Sequence, residues 1–221
     1  MYYNVYMFAE TEYRTVLKEL EGRASLCAVS KRHSPEEILR AYELGQRIFG
    51  ENKAQELLAK ADSLPKDIQW HFIGHLQRNK VKQILPYVSC IQSLDSLRLA
   101  ETIEKEAAAL GRTVSCLLEF HLASQDTRKT GLLPEEADAM IQACQNLPHL
   151  SIDGIMAMGP HTDDADAVRA VFREGRGLYD RLRAEYPSIH ILSMGMSDDY
   201  LLALEAGSNM VRIGSKLFQE D

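Results

Sequence analysis

No stretch of this chain approaches the roughly 20 consecutive apolar residues that a membrane-spanning helix requires, so no helical span is expected. A basic surplus is missing as well. Twenty-five Lys and Arg face 32 Asp and Glu, a net charge of −7, which gives no reason to expect nucleic acid or an anionic membrane as a partner. Cysteine is scarce and scattered. Cys27, Cys90, Cys116 and Cys144 lie far apart, three of them in strand-like runs. That is the pattern of reduced, buried thiols in a cytoplasmic protein, not of a disulfide framework. Met1–Ala9 is apolar but lacks a basic stretch and a small-residue cleavage site, so it reads poorly as a signal peptide. No Gly-x-Gly-x-x-Gly follows the first strand-like run, which removes the usual dinucleotide-binding sheet. The remaining picture is a soluble globular chain of 221 residues, 45% hydrophobic and 26% charged.

What the chain has is alternation. Strand-like runs at Leu26–Ser30, Arg47–Phe49, Gln69–Ile73, Val88–Gln92, Thr113–His121, Ser151–Ala157, Ile189–Ser193 and Met210–Ile213 are separated by helical patterns. The helices are read at Pro35–Leu44, Ala54–Ala61, Asn79–Leu85, Ser93–Leu110, Glu135–Gln145, Asp164–Glu185 and Asp198–Glu205, with an opening helix at Glu10–Glu21. Connections are short, and no composition shift marks a linker. Eight strand–helix alternations demand a parallel sheet, and eight units can close as a (β/α)8 barrel spanning residues 1–221 as one domain. An open doubly wound sheet is the alternative. In the barrel, the opening helix completes the outer ring.

A barrel gathers its chemistry at the C-terminal ends of its strands. Lys31 stands at the first end, where Ser34-Pro35-Glu36-Glu37 opens the next helix with a capping serine, a first-turn proline and two acids. The other ends carry Glu51-Asn52, Gly74-His75, Ser93, Ser124-Gln125, Met158-Gly159, Met194 through Asp199, and Gly214-Ser215. The last two are rich in glycine and hydroxyls. Backbone N–H groups at Gly195, Ser197, Gly214 and Ser215, with the hydroxyls of Ser193, Ser197 and Ser215, suit a phosphate dianion. Ordinary turn and capping chemistry would account for each piece alone. Arg212 lies inside a buried-strand pattern, which is costly unless it meets a ligand or a salt-bridge partner. A strand-end lysine, a phosphate cup and an arginine between them describe a pocket for pyridoxal 5′-phosphate. His71-x-x-x-His75 has helical metal-ligand spacing but spans a strand end and Gly74, so no metal is expected. Met194 and Met196 are expected to pack around the cofactor ring.

The same residues carry a resemblance. Ala28-Val29-Ser30-Lys31, Phe49-Gly50-Glu51-Asn52 with Gln55-Glu56, and the stretch from Trp70 to Gln77 with Asn79-Lys80 resemble the pyridoxal phosphate homeostasis protein family. So do Lys129-Thr130-Gly131, Gly154 to Met158, Ser193 to Asp199, and Val211 to Ser215. The resemblance runs from Ala28 to Ser215 and implies a fold like the barrel domain of alanine racemase. It also implies Lys31 as the Schiff-base lysine, Arg212 beside the pyridine nitrogen, Ser193, Ser197, Gly214 and Ser215 around the phosphate, and Asn52 near the ring. Glu119-Phe120-His121 departs from the family's more amide-like, aliphatic strand, and the segment before Lys31 is short.

Carrier and enzyme remain to be told apart. An arginine at the ring nitrogen can only donate, so the nitrogen stays unprotonated and the ring is a poor electron sink. A two-base racemase also needs a second acid/base on the far face, and Lys216–Asp221 leave no room for a domain that would bring one. The expectation is a monomeric carrier that buffers pyridoxal 5′-phosphate or delivers it to apo-enzymes. An amino-acid racemase or other pyridoxal enzyme is the alternative, and an imine-forming aldolase on a phosphorylated sugar fits less well.

Overall fold

The computed structural model describes residues 7–122 and 131–219. Eight parallel strands close on themselves in sequence order, β2 to β9. They are β2 Ser25–Val29, β3 Ile48–Glu51, β4 Gln69–Phe72, β5 Val88–Leu94, β6 Val114–Phe120, β7 Leu150–Ala157, β8 Ile191–Ser193 and β9 Met210–Ile213. Among the described residues, eight α-helices surround them: α1 Glu10–Leu20, α2 Pro35–Glu43, α3 Ala54–Ala61, α4 Arg78–Ile84, α5 Leu97–Ala109, α6 Ala137–Cys144, α7 Ala165–Glu185 and α8 Tyr200–Glu205. The barrel reading stands, and the open sheet does not.

Each strand divides its side chains between two cores by its alternation. Leu26 and Ala28 join the large core between strands and helices, whereas Cys90, Leu117 and Met156 form a small cluster of their own. All four cysteines are free and buried. Burial pushes the thiols of Cys27 and Cys90 up to about 12, so they stay protonated. The opening helix does complete the ring: Tyr13, Val16 and Leu20 enter the core, and Glu19 accepts a hydrogen bond from the Tyr200 hydroxyl on α8. At α2 the expected cap forms in full. Ser34 Oγ accepts from Glu37 N at 3.3 Å, and Glu37 Oε2 accepts from Ser34 N at 2.7 Å.

Some boundaries differ from the sequence reading. Ser93 and Leu94 continue β5, and α5 begins only at Leu97, because both residues are buried among neighbouring strands. The sixth helix opens with a single 3-10 turn, Pro134–Glu136. Two strands carry no sequence pattern of their own, β1 (Met7–Phe8) and β10 (Phe218–Gln219), which pair antiparallel outside the barrel. Two residues give no period to detect. Met194 packs outward against α7, where a Cβ on Gly175 would meet its Sδ at 2.6 Å, and Met196 is exposed, so the methionines do not act as a pair.

β7 and β8 approach unusually closely at Gly154. A Cβ there would lie 2.1 Å from Ile191 O, which is backbone and cannot swing aside. Gly154→Ala must therefore separate two barrel strands, an overpacking cost of about 1–3 kcal/mol. For a chain of this size, thermal unfolding should shift down by roughly 2–4 °C per kcal/mol, measured by calorimetry.

Candidate functional site

Lys31 follows the end of β2 and is exposed, in the turn that leads to α2. Barrel closure decides what lies beside it. β2 pairs with β9, with Cys27 level with Arg212 and Ala28 with Ile213. Lys31 therefore stands four residues beyond the level of Arg212, about 13 Å along a strand before side-chain reach is counted.

Arg212 is buried, at 4% exposure. Its Nη1 donates to Ser193 O at 2.9 Å and Ser193 Oγ at 2.7 Å, and its Nη2 donates to Ala157 O at 3.0 Å. The guanidinium thus lies across the end of β8 and reaches the last carbonyl of β7. No salt bridge to it occurs among the described residues, so the ion-pair explanation of this arginine is not what holds it. Burial lowers its pKa, opposed by the fields of Cys27, Asp199 and Glu119. Its Nε–H has no acceptor among the described residues.

Ser193 is fully buried and sits beneath the strand ends. Its hydroxyl accepts from Arg212 and donates to Gln92 Oε1 at 2.7 Å. The hydroxyl thus accepts on one side and donates on the other, and it orients the arginine. Gln92 passes the bond on, its Nε2 lying 2.8 Å from His71 Nδ1. With the amide donating, Nδ1 accepts and the imidazole is neutral. Burial also pushes His71 down to about 4. His75 points elsewhere, 3.3 Å from Asp95 Oδ2, so the two histidines do not converge. Sequence reasoning missed Gln92. A single amide among the serines and apolar residues of Val88–Leu94 gives no local signal of that role.

The loops after β8 and β9 meet as expected. Ser197 Oγ accepts from Gly214 N at 3.3 Å. Gly195 adopts φ +96°, and a Cβ there would strike Tyr200 and Ala203, so the turn needs glycine. The Ser215 and Lys216 N–H groups have no acceptor among the described residues, and Ser215 is exposed. Unspent, adjacent N–H groups beside a serine hydroxyl suit a phosphate. Asn52 follows β3, with its backbone against Gly74: a Cβ on Gly74 would lie 2.4 Å from Asn52 O. Ser124, Gln125, Lys129 and Thr130 fall outside the described residues.

This geometry has close relatives. Residues 10–220 match the model of the alanine racemase N-terminal domain. The pyridoxal phosphate homeostasis protein of Helicobacter pylori is 42% identical over 88% of this chain and 87% of its own. That of Aquifex aeolicus is 39% identical over 90% and 88%. The chain belongs to the pyridoxal phosphate homeostasis protein family. Among solved structures, PipY of Synechococcus elongatus with pyridoxal phosphate bound superposes with a TM-score of 0.87. It is 34% identical and aligns over 95% of this chain and 99% of its own. An alanine racemase from Clostridium difficile shares the fold, with a TM-score of 0.76 at 16% identity. The family's members carry a name for homeostasis, not for a reaction.

The neutral, buried His71 makes a pH prediction. Unfolded, its imidazole titrates near the ordinary 6.5; folded, near about 4. Between those values the unfolded chain binds the extra proton, so the contribution is present above pH 6.5 and is lost as pH falls toward 4. The loss is about 3 kcal/mol at most. Denaturant melts of the protein and of His71→Asn across that window should differ by a margin that shrinks by this amount toward acid pH.

Proposed function

We propose that this protein holds pyridoxal 5′-phosphate, which is bound in the structure of its relative PipY, at the barrel mouth, and serves intracellular homeostasis of that cofactor by buffering or delivering it. Lys31 supplies the amine, Arg212 faces the ring nitrogen, and Ser197, Gly214 and Ser215 receive the phosphate, with Asn52 beside the ring. When bound, the cofactor would supply an aldehyde, and Lys31 would present its amine to it. The chain's own work is to bind and orient. Arg212, kept cationic and able only to donate, cannot protonate the ring nitrogen.

The observation that carries the carrier reading is the hydrogen-bond chain Arg212–Ser193–Gln92–His71. It ends in a neutral imidazole, and none of its members is an acid that would give the ring a proton. Exposure of Lys31 adds to it, because a cofactor attached at an open face can leave. Four reduced thiols fit the cytoplasm, and no helix among the described residues is long and apolar enough to cross a membrane. We place the protein there as a monomer of one domain, with apo-enzymes as recipients. An amino-acid racemase is the competing reading. The racemase fold alone does not favour it.

Borohydride reduction of the loaded protein should attach the cofactor to the peptide containing Lys31, and Lys31→Ala should abolish the label by mass spectrometry. A label that persists on the same peptide in Lys31→Ala would defeat the assignment. Loaded protein should also restore activity to an apo-enzyme while leaving both enantiomers of alanine unchanged.

Replacing Ser197 and Ser215 by alanine should weaken pyridoxal 5′-phosphate by about 1.5–3 kcal/mol for each bond lost to a charged group. Unphosphorylated pyridoxal, titrated in parallel, should bind unchanged.

A further inference from the structure

Behind the Lys31 turn, outside the barrel wall, lies a buried cation that the cofactor site does not explain. Lys60 on α3 is 7% exposed, and its Nζ donates at 2.8 Å both to Ser30 O and to Glu51 Oε1 at the end of β3. Glu51 is fully buried, and its Oε1 also accepts from Ser30 Oγ at 2.7 Å. Glu56, one helical turn before Lys60, lies 3.6 Å from Nζ, and its Oε2 accepts from Arg32 N at 2.6 Å.

These bonds fall on two particular peptide units. Ser30 O belongs to the peptide that enters Lys31, and Arg32 N belongs to the peptide that leaves it. The Lys60–Glu51–Glu56 cluster therefore grips both peptides that flank the Lys31 Cα. Arg32 adopts φ +67°, a left-handed conformation that a residue with a Cβ holds only when its surroundings impose it. A cluster serving only to fasten α3 to the barrel would have no need of these two backbone groups. Apolar side chains would also do that work without the desolvation penalty of buried charge. Burial pushes the Glu51 carboxyl up and Lys60 draws it back, so the pair depends on both members.

We infer that Lys60, with Glu51 and Glu56, is a positioning residue for Lys31: it fixes the turn that aims the lysine amine at the mouth of the barrel. This rests on the cofactor reading above and deepens it. The step it governs is condensation, in which the Lys31 nitrogen attacks the aldehyde carbon and the carbonyl oxygen leaves as water.

The test separates aiming from general binding. Pyridoxal 5′-phosphate can condense with Lys31, whereas pyridoxamine 5′-phosphate fills the same pocket and has no aldehyde. In Lys60→Met/Glu51→Gln, which removes both charges together, stopped-flow growth of the visible absorbance should slow at least tenfold. The Kd for pyridoxamine 5′-phosphate should stay within twofold. Amide hydrogen exchange at Arg32, whose N–H is bonded to Glu56, should speed up in Glu56→Ala without cofactor present. Glu56→Ala frees only the second peptide, at a half-buried position, and should show the same split at smaller size; it decides the matter if the double variant does not fold. Glu56→Gln, which keeps an acceptor for Arg32 N, should recover most of the rate. Equal losses for both ligands, or an unchanged condensation rate, would overturn the inference and leave the cofactor reading intact. Failure of the unaltered protein to form any adduct at Lys31 would sink both.

Discussion

Closure of the sheet between β9 and β2 is the constraint on which the site depends. The last strand comes to lie beside the first, so Arg212 pairs with Cys27 and Lys31 ends the strand that runs alongside it, although nearly the whole sequence separates the two. The adjoining seam, between β8 and β9, has a single strand register pair, Ser193 with Met210. Side chains make up the difference. Ser208 Oγ lies within 3.1 Å of Met194 N and of the carbonyls of Leu192, Met194 and Met210, and Asn209 Oδ1 accepts from Leu192 N. The loops that follow this seam are the ones whose N–H groups remain open. A short, side-chain-tied seam lets the backbone turn early and face the mouth.

Alternation made the barrel legible, because a buried parallel strand and an amphipathic helix leave different periods. The range Ala54–Ala61 was readable to the residue, and Lys31 at the end of the first barrel strand followed from the strand and the Ser34 cap. Elements without a period were not legible. β1 and β10 are two residues each and exist only because Met7–Phe8 and Phe218–Gln219 pair with each other across the fold. Ser93 resembled a helix start because serine caps helices, yet tertiary burial kept it in β5. Among site residues, identity was easier to read than orientation. Ser193 reads as a hydroxyl near a phosphate loop; that it also bonds Arg212 and Gln92 depends on which face of a three-residue strand it occupies, and so on register. Gln92 and Lys60 gave no local signal, since a single amide or lysine in a run acquires a role only from what lies across the barrel.

The two halves of the site obey opposite solvent rules. Lys31 and Ser215 are exposed at the rim, where a ligand can come and go. Arg212, Ser193, Gln92 and His71 are buried below it. Polar groups inside a barrel are tolerated only if they satisfy one another. Here one direction of donation runs through them, from guanidinium to hydroxyl to amide to imidazole. That direction leaves no member able to reverse without breaking its neighbour's bond, so it fixes the amide and the imidazole tautomer together.

The same arrangement explains how a buried cation survives without an ion pair among the described residues. Moving such a group out of water costs several kcal/mol even after relaxation. Its three bonds to Ser193 O, Ser193 Oγ and Ala157 O contribute about 1.5–3 kcal/mol each, the range for hydrogen bonds to charged groups. The two sums are of similar size. A carboxylate partner would have held the arginine more tightly, but it would also have neutralised its positive charge. Neutral acceptors hold the side chain in place and leave its charge available, as the proposed role of donor to an unprotonated ring nitrogen requires.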